Sequence, residues 1–276
     1  MRFLIIRAVA LVSLCLSNAA LAHHPTSAFG LSAAAPQSMV ELESRWAKYP
    51  TALDGRGGSW VSSALRIEYA FSERLSLAAN LPFARVSPND TGSAMGIGDA
   101  ELAAKWSIMR PARGFGHLSV GTGIELPTGT RDKNIGSGHF ELSPFITYQT
   151  RALGHVVGFA RLNYMVAFGD GDHHHHGDQF AHVSVLAPHE EHEVRTLLGA
   201  AWVENTVYVS TSVDNALPLS GPGSASGIWS ASLEVGVTAV TDWRFALAWD
   251  QPLSSDRRTE GMARLGIAYW FAGADE

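Results

Sequence analysis

The chain has 276 residues, 46% of them hydrophobic and 17% charged, with a formal net charge of −6. The acidic balance excludes a general nucleic-acid binder, and no stretch past residue 22 approaches the roughly 18 continuous apolar residues of a membrane-spanning helix. A single cysteine, Cys15, is present, so the chain beyond the leader supports no disulfide framework, zinc–thiolate site or thiol nucleophile.

Residues 1–22 combine Arg2 and Arg7, an apolar core from Ala8 to Leu16, and the small-x-small triplet Ala20-Leu21-Ala22. This is the pattern of a secretory signal peptide cleaved after Ala22. A flexible N-terminal segment over 23–38 is expected to follow. An exported chain without cysteine suits the envelope of a Gram-negative bacterium, where unpaired thiols are oxidised.

From residue 39 onward the pattern is alternation. Trp229, Ala231, Leu233, Val235, Val237 and Ala239 interleave with Ser230, Ser232, Glu234, Gly236 and Thr238. The same period runs through 75–83, 118–126 and 263–271, each segment with one apolar and one polar face. Twelve strands are predicted, at 39–46, 60–71, 75–87, 97–109, 116–127, 139–151, 155–168, 179–188, 194–212, 228–240, 243–252 and 261–271. They form one domain over 39–271, with a short tail at 272–276. The 194–212 segment is long for a single bilayer crossing, and either projects outward or hides a further turn.

The connections sort into two alternating sets. Short ones fall at 72–74, 152–154, 189–193 and 241–242. Long ones, rich in Gly, Asp and Ser, fall at 47–59, 88–96, 128–138, 169–178, 213–227 and 253–260. A soluble β-sandwich has no reason to sort its loops this way, whereas an outer-membrane barrel has short periplasmic turns and long extracellular loops. Aromatics gather near the strand ends (Trp46, Trp60, Phe71, Phe83, Tyr148, Phe168, Trp229, Trp243, Tyr269, Trp270, Phe271), as interfacial girdles require. The predicted fold class is therefore all-β, a transmembrane antiparallel β-barrel of about 12 strands, outer-membrane type, in the cell outer membrane.

Apolar faces on lipid leave the other faces for the lumen. The candidate lumen-lining residues are Arg66, Glu68, Asp99, Glu101, Lys105, Glu125, Glu141, Arg161, Glu234, Asp250 and Arg264, together with Glu41, Glu43 and Arg45. Acids outnumber bases in this set, so an open lumen favours cations or neutral solutes, while internal pairing produces a salt-bridged plug. A barrel of this size lies between filled eight-strand barrels and open 16-strand porins, so both outcomes stand.

Several motifs resemble a known family. Gly98-Asp99-Ala100-Glu101-Leu102 with Lys105-Trp106 is one, and Gly121 to Gly129, reading GTGIELPTG, is the next. Gly136-Ser137-Gly138, Glu141-Leu142-Ser143-Pro144 and the closing Leu265 to Phe271 complete the set. Over roughly 60–271 the chain resembles the bacterial outer-membrane family called "MetA-pathway of phenol degradation" proteins. That resemblance implies a barrel that passes small compounds, hydrophobic ones among the candidates, and it brings no catalytic residues. The chain departs from the common aromatic terminus, because Phe271 is followed by five further residues.

The run Asp170 to Asp178 reads DGDHHHHGD. His173, His174, His175 and His176 with Asp170 and Asp172 are candidate ligands for a divalent transition metal, since imidazoles and carboxylates suit Zn²⁺, Ni²⁺ or Cu²⁺. A solvated low-complexity loop is the competing reading. His189-Glu190-Glu191-His192 is not a zinc-protease motif, because its histidines are three apart in a predicted turn rather than four apart on a helix. Ser143 with His139 is the remaining hydrolase candidate. The sequence thus predicts a non-enzymatic channel or transporter with no cofactor. Its partners are outer-membrane lipid and a small solute. The alternative is a metal-binding or sensing barrel with a closed lumen.

Overall fold

The computed structural model describes residues 34–50, 57–109, 116–130, 133, 135–168, 191–219, 227–240, 242–254 and 259–271. Within them the chain forms β1 (Met39–Tyr49), β2 (Gly58–Ala70), β3 (Leu75–Pro88), β4 (Ala94–Ile97), β5 (Ala100–Met109), β6 (His117–Leu126) and β7 (Phe140–Gln149). There follow β8 (Val156–Phe168), β9 (His192–Glu204), β10 (Val207–Pro218), β11 (Ile228–Val240), β12 (Trp243–Pro252) and β13 (Gly261–Trp270). Every neighbouring pair is antiparallel. β1 pairs with both β13 and β2, and β2 pairs with β3, so the sheet closes on itself. Closure satisfies the backbone amides and carbonyls without water, which is what a strand structure in lipid requires.

The ring has twelve staves, because β4 and β5 are one stave interrupted at Gly98-Asp99. β3 pairs Asn80 with Glu101 on β5 and Phe83 with Ile97 on β4, a one-residue shift in register. The break lies opposite Pro82, which has no N–H to donate, and the Pro82 carbonyl accepts the Gly98 N–H at 2.8 Å. The Gly-Asp pair of the sequence motif is therefore a β-bulge that re-aims Asp99.

Alternation decides what each stave presents. On β1, Met39, Glu41, Glu43, Arg45, Ala47 and Tyr49 are buried inward. Leu42, Leu65, Leu77, Leu102, Ile124, Leu162, Leu198, Leu233, Val235, Leu247 and Leu265 are exposed on the outer wall. Charges are absent from the middle of that wall among the described residues, where an Arg or Lys costs about 2–4 kcal/mol. Inside, three aromatic rings each lie on a glycine directly opposite in the ladder. These are Phe145 on Gly121, Phe159 on Gly199 and Tyr208 on Gly236. A side chain at any of these glycines would collide with the ring, so the glycines make room for inward aromatics to lie flat on the wall.

The structure revises four sequence expectations. Of the two readings of the long 194–212 segment, the further turn holds: it spans parts of two strands, β9 and β10, joined at Asn205-Thr206, with Asn205 at a φ of 51°. The predicted strand at 179–188 lies outside the described residues, and β8 pairs directly with β9 without it. The twelve staves are accordingly not the twelve predicted, and 191–193 belongs to the long-loop end rather than to a short turn, with His192 opposite Val166. Trp60 and Trp270 are not girdle residues: both are buried inward, whereas Trp46, Phe71, Phe83, Trp229, Trp243 and Tyr269 face outward. Finally, residues 34–38 of the segment expected to be flexible are tied into the barrel, as described below.

Candidate channel lumen

One wall of the lumen is a continuous chain of ion pairs. Arg244 on β12 donates to Glu41 on β1 at 2.6 Å, and Glu41 also pairs with Arg66 on β2 at 3.5 Å. Arg66 pairs with Glu68 at 3.0 Å, and Glu68 with Lys105 on β5 at 2.9 Å. A second chain lies nearer the long-loop end. Arg264 on β13 binds Asp250 at 2.8 Å and approaches Glu43 at 3.5 Å and Glu234 at 3.9 Å, while Arg45 pairs with Glu43. The Tyr208 hydroxyl donates to Glu234 at 2.5 Å. Breaking a buried pair on one side leaves a bare charge and costs about 3–5 kcal/mol, so these chains hold their geometry firmly.

The opposite arc is different. Glu101, Glu125 and Glu141 sit directly across from one another on β5, β6 and β7, all inward. Carboxylates at such positions repel at Cβ separations of about 4.5–5.5 Å. The Ser137 hydroxyl donates to Glu125 at 3.3 Å. Beyond this row the Arg161 guanidinium lies over the Phe145 ring, 4.5 Å from its centre. Arg195 on β9 pairs with Glu193 at 2.5 Å. Asn80, Glu101, Glu125, Arg161, Asn163, Arg195, Ser212, Asp214 and Asp250 are all only partly covered, so water reaches this part of the lumen.

Asp99 serves a separate purpose. Its carboxylate accepts the Gly129 N–H at 2.8 Å and the Ser137 N–H. It thereby folds the connection between β6 and β7 into the barrel mouth. Ile135 of that connection is buried with Ala47, Tyr49, Trp60, Ala84 and Val86. The GD and LPTG motifs are thus two halves of one device, a bulge carboxylate and the loop that it pins.

Toward the short turns the lumen is filled. Ser76, Lys105, Ser119, Thr147, Gln149, Val157, Phe159, Val203, Tyr208, Arg244 and Trp270 all point inward and are buried. The lumen is therefore packed in its short-turn half, while its long-loop half is closed beside β1–β3 by the Ile135 cluster and partly hydrated along β5–β10.

All eleven lumen candidates of the sequence lie on the inner face, divided between the paired wall, the carboxylate row, the loop pin and the Arg161 stack. The sequence reading missed Glu193, Arg195, Asp214 and Arg244. The first three were hidden by the undivided 194–212 segment, and Arg244 by its place beside a turn. Parity within the correct strands would have found all four, as it would have placed Trp60 beside inward Ser62. His173 to His176, Asp170 and Asp172 lie outside the described residues. Among those described, no group of three or more His, Cys, Asp or Glu is arranged to hold a metal. Ser143 points into the lumen, and His139 precedes it by four residues of extended chain. That spacing separates the two by about 13 Å, too far for a nucleophile–base pair.

No protein-family model and no curated protein matches the chain. Among solved structures, the COG4313 outer membrane channel from Pseudomonas putida F1 is similar in fold, with a TM-score of 0.65 and 14% identity over 90% of this chain and 100% of that one. The KdgM porin aligns with a TM-score of 0.54 and 8% identity over 85% of this chain and 99% of its own. The NanC porin aligns with a TM-score of 0.55 and 8% identity over 83% of this chain and 100% of its own. At these identities the likeness establishes the fold: the chain is a closed, twelve-stave antiparallel barrel of the outer-membrane, porin-like type.

Proposed function

We propose that this protein is an outer-membrane channel that passes small solutes and carries out no chemistry of its own. The observation that carries the reading is the division of the barrel into a continuous apolar outer wall and an ionisable, partly hydrated lumen. The outer wall matches a hydrocarbon solvent, and the inner one matches water and polar solutes. Likeness in fold to a channel and to two porins supports the same reading, as does the sequence resemblance to the "MetA-pathway of phenol degradation" family. Among the partly covered inward residues, Glu101, Glu125, Asp214 and Asp250 outnumber Arg161 and Arg195, an acidic balance that favours cations and neutral solutes over anions. Membrane sidedness follows from loop length, with the 205–206 and 241–242 turns periplasmic and the long connections extracellular.

The test is conductance of the purified barrel in a planar bilayer, with the reversal potential read under a salt gradient. Discrete current steps with a cation-selective reversal potential are expected. A barrel that folds and inserts but never conducts would overturn the channel reading, and anion selectivity would overturn the role given to that acidic balance. A second reading, a surface metal site, is supported by the composition of His173–His176 with Asp170 and Asp172. Calorimetry with Zn²⁺ on the intact barrel and on a variant with the four histidines changed to serine separates it from inert loop sequence. Neutral imidazole ligation should also fade below about pH 6.

A further inference from the structure

The channel reading leaves one segment without a role. Residues 34–38 precede β1, yet they do not run along the barrel rim. The Ser38 carbonyl accepts the Phe271 N–H at 3.0 Å, and the Ser38 hydroxyl accepts the Ala70 N–H at 3.1 Å, which fixes the start of the segment between β13 and β2. From there the chain turns into the lumen. The Gln37 N–H donates to Glu68 at 3.1 Å, and the Trp270 indole N–H donates to the Gln37 side chain at 3.3 Å. Lys105 on β5 then donates to the Ala35 carbonyl at 2.8 Å, and Ser119 on β6 donates to the Ala34 carbonyl. Counting along the ring, β6 is four staves away from β1. The segment therefore spans the short-turn end of the lumen and ends fully buried at Ala34.

We propose that residues 34–38 are a releasable latch that bars the short-turn end of the lumen, hinged at Ser38. This rests on the channel reading above and adds its regulation. Two features make the segment a latch rather than part of the wall. Its side chains are Ala34, Ala35, Pro36, Gln37 and Ser38, so it contributes little apolar surface to hold it in place. It is gripped mainly through its backbone, and the charged groups in that grip, Glu68 and Lys105, have other partners as well. If the segment leaves, Lys105 keeps Glu68 at 2.9 Å, and Glu68 keeps Arg66 at 3.0 Å and Ser76 at 2.7 Å. Withdrawal exposes polar groups to water and strands no buried charge, so the wall survives it.

Two variants test this in planar bilayers. In the first, residues 23–37 are deleted so that the leader joins Ser38. In the second, Ala34→Cys and Ser119→Cys are combined in a chain whose only other cysteine, Cys15, lies in the leader. The Ser119 hydroxyl donates to the Ala34 carbonyl, so cysteines at the two positions are neighbours, and their cross-linking is read on a gel before conductance is compared. The deletion should raise mean conductance several-fold over the intact chain. Oxidising the double variant should lower conductance below that of its own reduced form. Heat-modifiable gel mobility confirms folding in each case. If the deletion variant does not assemble, the redox pair decides alone. Equal conductance of the intact, deleted, oxidised and reduced proteins would overturn the latch and leave the channel standing. Silence of every form, including the folded deletion variant, would overturn the latch and the channel together. Failure of the cysteine pair to cross-link would also overturn the latch.

Discussion

The phase of the strands, which governs every functional statement above, is testable by placing one charge on each face at the same height. Val235 lies on the outer wall of β11, exposed, with Trp229 toward the long loops. Toward the short turns, Trp243 pairs with Val240. Val235 is six residues from the first aromatic and five from the level of the second, which sets it near the bilayer midplane. Val235→Arg should destabilise the barrel by about 2–4 kcal/mol, a shift of roughly 30-fold to 1000-fold in the folding equilibrium. Ser212 on the neighbouring β10 points inward at a similar height, is partly hydrated, and lies opposite Gly199 and Ser232. Ser212→Arg should change stability by less than about 1 kcal/mol, as hydrated surface sites do. Glu234→Arg is not the matching control, although Glu234 also faces inward. It would remove the acceptor of the Tyr208 hydroxyl and set a second cation beside Arg264, where Glu234 now lies 3.9 Å away. Urea titration of liposome-inserted protein, read by heat-modifiable mobility, measures both variants. Equal losses for Val235→Arg and Ser212→Arg, or a larger loss for the second, would refute the assigned phase.

Asp99→Ala should release the β6–β7 connection, because two backbone N–H donors lose a charged acceptor worth about 1.5–3 kcal/mol each. Hydrogen exchange at Gly129 and Ser137 should accelerate while the barrel keeps its gel mobility, and unchanged protection would contradict the pin. Changing Glu101, Glu125 and Glu141 together to Gln should move the reversal potential toward zero selectivity. An unaltered potential would show that ions do not pass the carboxylate row. An epitope inserted at Asn205-Thr206 should stay hidden on intact cells, whereas one placed after Glu191 should be reached by antibody. The opposite pattern would invert the sidedness.

How much of this was legible in the chain is clearest in particular residues. Leu233 beside Glu234, or Leu65 beside Arg66, can be assigned to lipid or lumen from alternation alone. The pleat turns successive side chains to opposite faces, and a bilayer tolerates only one kind on its side. The resulting class, about twelve tilted strands with sorted loops, is a property of the local pattern. The position of the Asn205-Thr206 hairpin escaped because it carries neither Gly nor Pro, and because Leu197, Ala201 and Val203 point apolar groups into the lumen. The run consequently read as one long greasy strand. Asn205, a residue that tolerates positive φ, was the one available signal.

What the sequence determined alone is therefore each strand's two faces and the kind of solvent each can meet. Only the tertiary structure decided which inward charges became partners. Glu41 meets Arg244 across 203 positions of sequence, and Lys105 meets Ala35 across 70. Such contacts depend on the register with which the sheet closes and on the diameter that closure sets. They are collective properties of the ring, carried by no local stretch of the chain. For the same reason, whether the inward face encloses a plug or a passage was undecidable from alternation. The packed short-turn half and the partly hydrated long-loop half are built from strands with the same period, and they differ in which side chains the closed ring brings face to face.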